Sequence, residues 1–321
     1  MPVSDVFREL GHSGIRVPVL TFGGNVFGWT VDESSSFQIL DALVSEGLTF
    51  IDTADVYSTW APGNSGGESE TIIGNWLKKR GNRDKVIIAT KVGKNMGEGR
   101  HGLSAAYIRQ AVEASLRRLQ TDYIDLYQSH EDDKETPLEE TLAAFDTLIR
   151  EGKVRAIGAS NYEADRLAEA LKISRENHLA RYETLQPEYN LYDRRHYEET
   201  LSPIVKSEQL GVIGYYSLAS GFLSGKYRVP EDAVKSPRGQ GIIARYLNPR
   251  GLAILNALEQ VATVHRSTAT QVALAWLIAR PEVTSPIVSA TTVDQVKELA
   301  SATRLTLTAQ DISLIDGASA W

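Results

Sequence analysis

Lys85-Val86-Ile87-Ile88-Ala89-Thr90-Lys91 is a near-continuous apolar run that ends in a lysine. A strand with one wet face alternates apolar and polar residues. A run this continuous is the kind buried on both faces of a parallel sheet. Working outward, the same unit recurs. Upstream, Thr49-Phe50-Ile51-Asp52 predicts a strand and residues 20–23 an earlier one. Leu40, Leu43 and Val44 mark a helix between them, and Ile72, Ile73, Trp76 and Leu77 mark the next. Downstream, Ile108, Val112, Ser115 or Leu116, and Leu119 recur at helical spacing, before a fourth strand at 123–130. A helix opens at Pro137 and runs towards Gly152. Strands follow at 154–160, 184–189, 212–216 and 285–289, the last trailed by a helix through Val293, Val296 and Leu299. Residues 15–19 alternate and pair with 7–10 as a hairpin across Gly11-His12-Ser13-Gly14.

Eight strands separated by helices predict a parallel sheet with right-handed crossovers. A doubly wound open sheet competes with a barrel. The count of eight favours the barrel, and no Gly-x-Gly-x-x-Gly follows the first strand. The expectation is an α/β chain forming one domain over residues 1–321, a (β/α)8 TIM barrel with an amino-terminal hairpin and extra helices. Residues 217–249 are the longest stretch without clear periodicity, and such stretches are usually functional.

The 321 residues are 42% hydrophobic and 23% charged, ordinary for a globular chain. There is no cysteine, which excludes a thiol nucleophile, a thiolate metal site and a disulfide framework. A net charge of −7 gives no general attraction to nucleic acid or anionic lipid. The stretch from Met1 to Leu10 holds Asp5, Arg8 and Glu9 and lacks a signal peptide's apolar core. No run of 18 apolar residues occurs, so membrane insertion is not expected and a cytoplasmic location is. Nothing in the sequence sets an oligomeric state.

Barrel enzymes place their active groups where strands end. Here the second strand ends in Asp52, with Tyr57 just beyond, the third in Lys91 and the fourth in His130. Each alone has a bland reading, such as a helix cap for Asp52. Together on one face they suit acid catalysis of carbonyl reduction. A phenol, with a pKa near ~10, is a poor acid at neutral pH. A buried ammonium lowers that pKa, and a carboxylate keeps the ammonium charged. Asp52 would hold Lys91, Lys91 would tune Tyr57, and His130 would hydrogen-bond the substrate oxygen. The hydride must come from a cofactor.

Six segments carry a family resemblance: Asp52-Thr53-Ala54-Asp55-Val56-Tyr57, Gly67-Glu68-Ser69-Glu70, Lys91, Leu126-Tyr127-Gln128-Ser129-His130, Gly152 to Asn161, and Gln186-Pro187-Glu188-Tyr189-Asn190. In this order they resemble the aldo-keto reductases, over nearly the whole chain. The resemblance implies an NADP(H)-dependent reductase of aldehydes or ketones, with NAD(H) as the other possible nucleotide. It implies Tyr57 as general acid, with Asp52, Lys91 and His130 completing a tetrad. Ser160, Asn161 and Gln186 would bind the nicotinamide carboxamide and Tyr215 would stack on the ring. Gly24, Asn25, Asp52, Tyr216, Ser217 and Thr291 fall among the cofactor contacts. Leu218, Ser220 and Gly221 would line the pyrophosphate.

Gly221 to Tyr227 is similar to the branch that includes potassium-channel β subunits, where Lys226 and Arg238 would neutralise cofactor phosphates. Ser289 and Gln295 stand where many members carry a lysine and an arginine for the 2′-phosphate, and they supply no charge. Glu298 would reach the adenine amino group. Phe27, Trp29, Trp60 and Met96, with Tyr57 and His130, are the expected substrate wall. Glu131-Asp132, directly after His130, would disfavour anionic substrates or face solvent. A cofactor-sensing regulatory subunit is the rival function; the lack of an extended segment ahead of the hairpin weighs against it. An isomerase or hydrolase on the same fold is the third reading, without a metal-ligand cluster or paired carboxylates to support it.

Overall fold

A computed structural model of the chain describes residues 7–97 and 99–321. Residues 1–6, part of the stretch read above for its charges, lie outside it. A hairpin comes first, β1 (Phe7–Glu9) antiparallel to β2 (Arg16–Pro18). Gly11 takes a φ of 59° in the turn, and a Cβ there would run into the Glu183 carbonyl oxygen. Leu10, Ile15 and Val17 pack with Phe50, Ala89, Leu126, Ala156, Ile213 and Ile287. The hairpin thus plugs the bottom of the sheet with its own apolar residues.

Strand and helix then alternate: β3 (Thr21–Gly23), α1 (Glu33–Ser45), β4 (Phe50–Asp52), α2 (Glu68–Arg80), β5 (Ile87–Val92), α3 (Ala105–Leu119), β6 (Ile124–Ser129) and α4 (Leu138–Arg150). The series continues with β7 (Val154–Ser160), α5 (Ala164–Glu176), β8 (Tyr182–Gln186), α6 (Ser202–Glu208) and β9 (Gly211–Val212). Three helices, α7 (Gly239–Tyr246), α8 (Pro249–His265) and α9 (Ala269–Ile278), precede β10 (Ile287–Val288). Then α10 (Val293–Ala302) and α11 (Ala309–Ala318) end the chain.

The order β10-β3-β4-β5-β6-β7-β8-β9 is parallel throughout. Backbone bonds close the ring: Thr284 and Ser285 donate to the Val212 carbonyl, and Ile287 donates to that of Gly214. The chain is therefore a (β/α)8 barrel. Its strands are buried on both faces, as the apolar run at 85–91 predicts. Side-chain caps start several helices, with Asp32, Ser104, Thr292 and Thr308 each accepting from an amide three residues on. No helix among the described residues is long and apolar enough to cross a membrane.

Three strands differ from expectation. The sixth runs 182–186 and stops before Pro187, which has no amide to donate. The seventh is two residues long, because Tyr215 makes only an isolated bridge to Glu188 and Tyr216 turns left-handed with φ 55°. The eighth is likewise two residues. Residues 217–249, aperiodic in sequence, hold two 3-10 turns (Ala219–Ser224 and Pro230–Lys235) and α7. The 3-10 turns are too short to display a period, and α7 shows one only through Gly239, Ile242 and Tyr246. Arg245 fastens α7 to the barrel rim through Glu188 and Asp193, at 2.8 and 2.9 Å.

Candidate active site

A cleft of about 1040 Å³ opens at the carboxyl ends of the strands. It runs from Trp60, Tyr57 and His130 to Thr291, Gln295 and Glu298. This is the end where barrels carry their loops and their chemistry.

Asp52 closes β4, Lys91 lies at the end of β5 and His130 follows β6. Parallel pairing of these strands brings the three together. The Lys91 Nζ donates to Asp52 Oδ2 at 2.6 Å, to the Thr53 carbonyl at 2.9 Å and to the Tyr57 hydroxyl oxygen at 3.0 Å. All three ammonium hydrogens are engaged, and the lysine is wholly buried. Gln128 and Gln186 donate their amides to Asp52 Oδ1 at 3.1 and 3.0 Å, and Gln186 also donates to Gln128 Oε1. The His130 ring stands edge-to-face on Tyr57, centroids 5.9 Å apart.

The electrostatics differ from expectation in one respect. Burial pushes the Tyr57 phenol above its ordinary value, and the Asp52 charge adds to that; Lys91 pulls it back only in part. The ammonium therefore moderates a raised pKa and does not set a lowered one. Burial opposes the charge on Lys91, but Asp52 and Tyr57 outweigh it and raise its pKa. Burial, then Lys91 and Lys94, hold His130 well below the usual histidine range, so its imidazole is neutral at pH 7. Its Nδ1 has no hydrogen-bond partner among the described residues.

Asn25, Ser160, Asn161, Gln186, Tyr215, Tyr216, Ser217, Leu218, Ser220, Gly221, Lys226, Arg238, Ser289, Thr291, Gln295 and Glu298 all line the cleft. Asn161 accepts from the Tyr215 hydroxyl at 2.8 Å and donates to the His130 carbonyl. Ala219, Ser220 and Gly221 are all left-handed, with φ of 49°, 58° and 96°. The Ala219 and Gly221 amides donate to the Tyr216 and Leu218 carbonyls, which fixes this tight turn on the cleft wall. The cleft's size and its run of polar wall residues fit a dinucleotide. Lys226 lies 5.0 Å from the Tyr227 ring centre and Arg238 5.4 Å from that of Trp29. Glu298 accepts from the Thr268 hydroxyl, and Gln295 from the Thr291 amide.

Some expected wall residues lie elsewhere. Phe27 is fully buried and stacks on Phe22 in the core. An apolar ring just after a strand had two places to go, and core burial won. Met96 turns its methyl towards Gly66, away from the cleft. Gly24 lies behind the wall, where its carbonyl accepts from the Ser69 hydroxyl at 2.7 Å. Trp29, Trp60 and Tyr57 do form one edge-to-face series on the cleft. Asp132 turns away, gripped by Arg166 at 2.9 and 3.0 Å. Glu131 faces Lys94, so the acidic pair after His130 is not a double repeller.

Sequence reasoning passed over Gly23, Val26, Lys94, Ser224, Pro237 and Thr270 on the cleft wall, and Gln128 beneath it. Gln128 had a signal, since an amide in an apolar strand one residue from a serine and two from His130 needs a polar partner. Among the described residues no cluster of His, Cys, Asp and Glu can hold a metal ion.

Residues 19–320 match the Aldo/keto reductase family. The oxidoreductase YrpG of Bacillus subtilis is 35% identical, over 97% of this chain and 94% of its own length. The aldo-keto reductase YhdN of the same organism is 34% identical, over 93% and 87%. A rice protein named "Probable voltage-gated potassium channel subunit beta" is 32% identical, over 91% and 89%. Fold, cleft and kinship agree: the chain belongs to the aldo/keto reductase family of oxidoreductases.

Proposed function

We propose that the chain reduces aldehydes or ketones to alcohols, with NADP(H) as the hydride source and Tyr57 as proton donor. One set of contacts supports this: Lys91 Nζ lies 3.0 Å from the Tyr57 hydroxyl and 2.6 Å from Asp52 at the open end of the cleft. The ammonium donates to the phenol oxygen, so the phenol hydrogen is left for a substrate. Burial keeps that hydrogen in place at neutral pH, as an acid requires before it acts. As the proton leaves, Lys91 stabilises the phenolate. Neutral His130, beside the phenol, orients the carbonyl oxygen. A nicotinamide nucleotide supplies the hydride, which no side chain can deliver.

In this reading Ser160, Asn161 and Gln186 hold the carboxamide and Tyr215 covers the ring. Residues 217–221 and Lys226 take the phosphates, and Ser289, Thr291, Gln295, Glu298 and Arg238 the adenosine end. A preference for NADP(H) over NAD(H) rests on Arg238, because Ser289 and Gln295 bring no charge and the phosphates near Lys226 are common to both nucleotides. A cytoplasmic location goes with this reading, since the nucleotide and a cysteine-free chain both suit it.

Tyr57→Phe tests the assignment. Turnover of 4-nitrobenzaldehyde should fall about 10²- to 10⁴-fold, while NADPH affinity, read by fluorescence titration, stays the same. Full turnover in the variant would remove Tyr57 from the role.

The channel-subunit name of a 32% identical relative supports a second reading, a regulatory subunit that senses nucleotide in this cleft. Capture of a membrane protein in a manner that differs between NADPH and NADP⁺, with no turnover of any aldehyde, would select it.

A further inference from the structure

We propose that the cleft favours carbonyl compounds that also carry a carboxylate, and that Lys94 recognises it; this rests on the reductase reading above. Lys94 follows Lys91 by three residues, on the loop after β5, and lines the cleft with His130. Among the described residues its one charged partner is the Glu131 carboxylate, 3.9 Å away, and the two side chains are 40% and 48% exposed. That separation is too long for a hydrogen bond. An exposed pair of this kind is held weakly.

The other charges nearby are committed. Lys91 is saturated by Asp52, Thr53 and Tyr57. Arg166 and Asp132 grip each other. Arg238 and Lys226, which lie over the Trp29 and Tyr227 rings, are taken by the cofactor in the reading above. Apart from Asn161, Tyr216 and Glu131 itself, the wall around the reacting end is apolar or aromatic: Val26, Trp29, Val56 and Trp60. A second polar group on a substrate therefore meets one loosely paired cation. An ammonium offers three donors and no acceptor, so it prefers a carboxylate to a hydroxyl. A substrate that covers the mouth also excludes water there, which strengthens its contact over the loose one to Glu131. Lys94 is close enough to the reacting end to help keep His130 uncharged.

The test uses 3- and 4-carboxybenzaldehyde against their methyl esters, with NADPH and with NADH. The quantity read is the ratio of kcat/KM for acid over ester, which cancels general damage to the site. Lys94→Met should lower that ratio roughly tenfold, chiefly through the KM of the acid. Glu131→Gln, which removes the competing carboxylate, should raise it. A ratio that Lys94→Met leaves unchanged, or that Glu131→Gln leaves unchanged or lowers, overturns the proposal while leaving the reductase reading intact. No reduction of any of the four compounds by the wild-type chain overturns the reductase reading, and this proposal with it.

Discussion

Asp52 and Asp55 are three residues apart and both about 1% exposed, yet their surroundings are opposite. Asp52 faces the barrel axis. One of its oxygens takes the Lys91 ammonium and the other takes two glutamine amides. Asp55 lies in the region behind, near Glu70, Arg118, Tyr107 and Tyr127. Neither of its oxygens finds a partner in hydrogen-bonding geometry among the described residues. Burial first, and the Glu70 charge second, push its carboxyl up to about 8, against Arg118, the Val56 amide and Lys91. Glu70, equally buried, escapes isolation by taking Arg118 and the Thr90 hydroxyl. Burial alone thus does not decide whether a carboxylate carries charge. Its partners do, and the strand register supplies them on one side of this loop and withholds them on the other.

The sharpest way to break the contrast is Lys91→Met. It strips Asp52 of its cation and should turn the partnered carboxylate into a stranded one. A loss of about 3–5 kcal/mol of stability is expected, together with loss of turnover. Chemical denaturation reads the first; a Tm within a degree of wild type would show that the amides alone suffice.

Next is Asp55→Asn, which should stabilise. The folded-state pKa of Asp55 is raised above its unfolded value, so the native state binds the extra proton between the two. Its contribution to stability is intact below about pH 4 and declines as pH rises towards 8. Asparagine removes that decline and should gain about 2–4 kcal/mol at pH 7. Denaturation midpoints from pH 4 to pH 9 check this, and parallel profiles for the two proteins would refute the assignment.

The smallest effect should come from Gln128→Met. It removes one of the two amide donors to Asp52 and leaves Gln186, which also loses an acceptor. A loss of about 1 kcal/mol is expected. A loss as large as that of Lys91→Met would mean that the amides, and not the ion pair, keep Asp52 buried.

Much of this was legible in the chain. The apolar run at 85–91 and its repeats announce the parallel barrel, since a strand buried on two faces has no polar alternation to hide. The four polar residues at successive strand ends announce one site, because parallel strands present those ends on one rim. Short elements were less legible: β9 and β10 carry too few residues for a period, and α7 buries only Gly239, Ile242 and Tyr246. Phe27 and Met96 show the limit for single apolar residues. Sequence marks them as buried or half-buried and does not say against what.

The sequence by itself determined that eight apolar segments must share one sheet, and that Asp52, Tyr57, Lys91 and His130 must meet at its rim. Local pattern and strand alternation suffice for that. Only the tertiary structure decided which charges are paired: Asp132 with Arg166, Glu131 loosely with Lys94, and Asp55 with none among the described residues. Pairing depends on side chains far apart in the chain arriving within about 3 Å of each other, and a spacing rule along one strand cannot specify that.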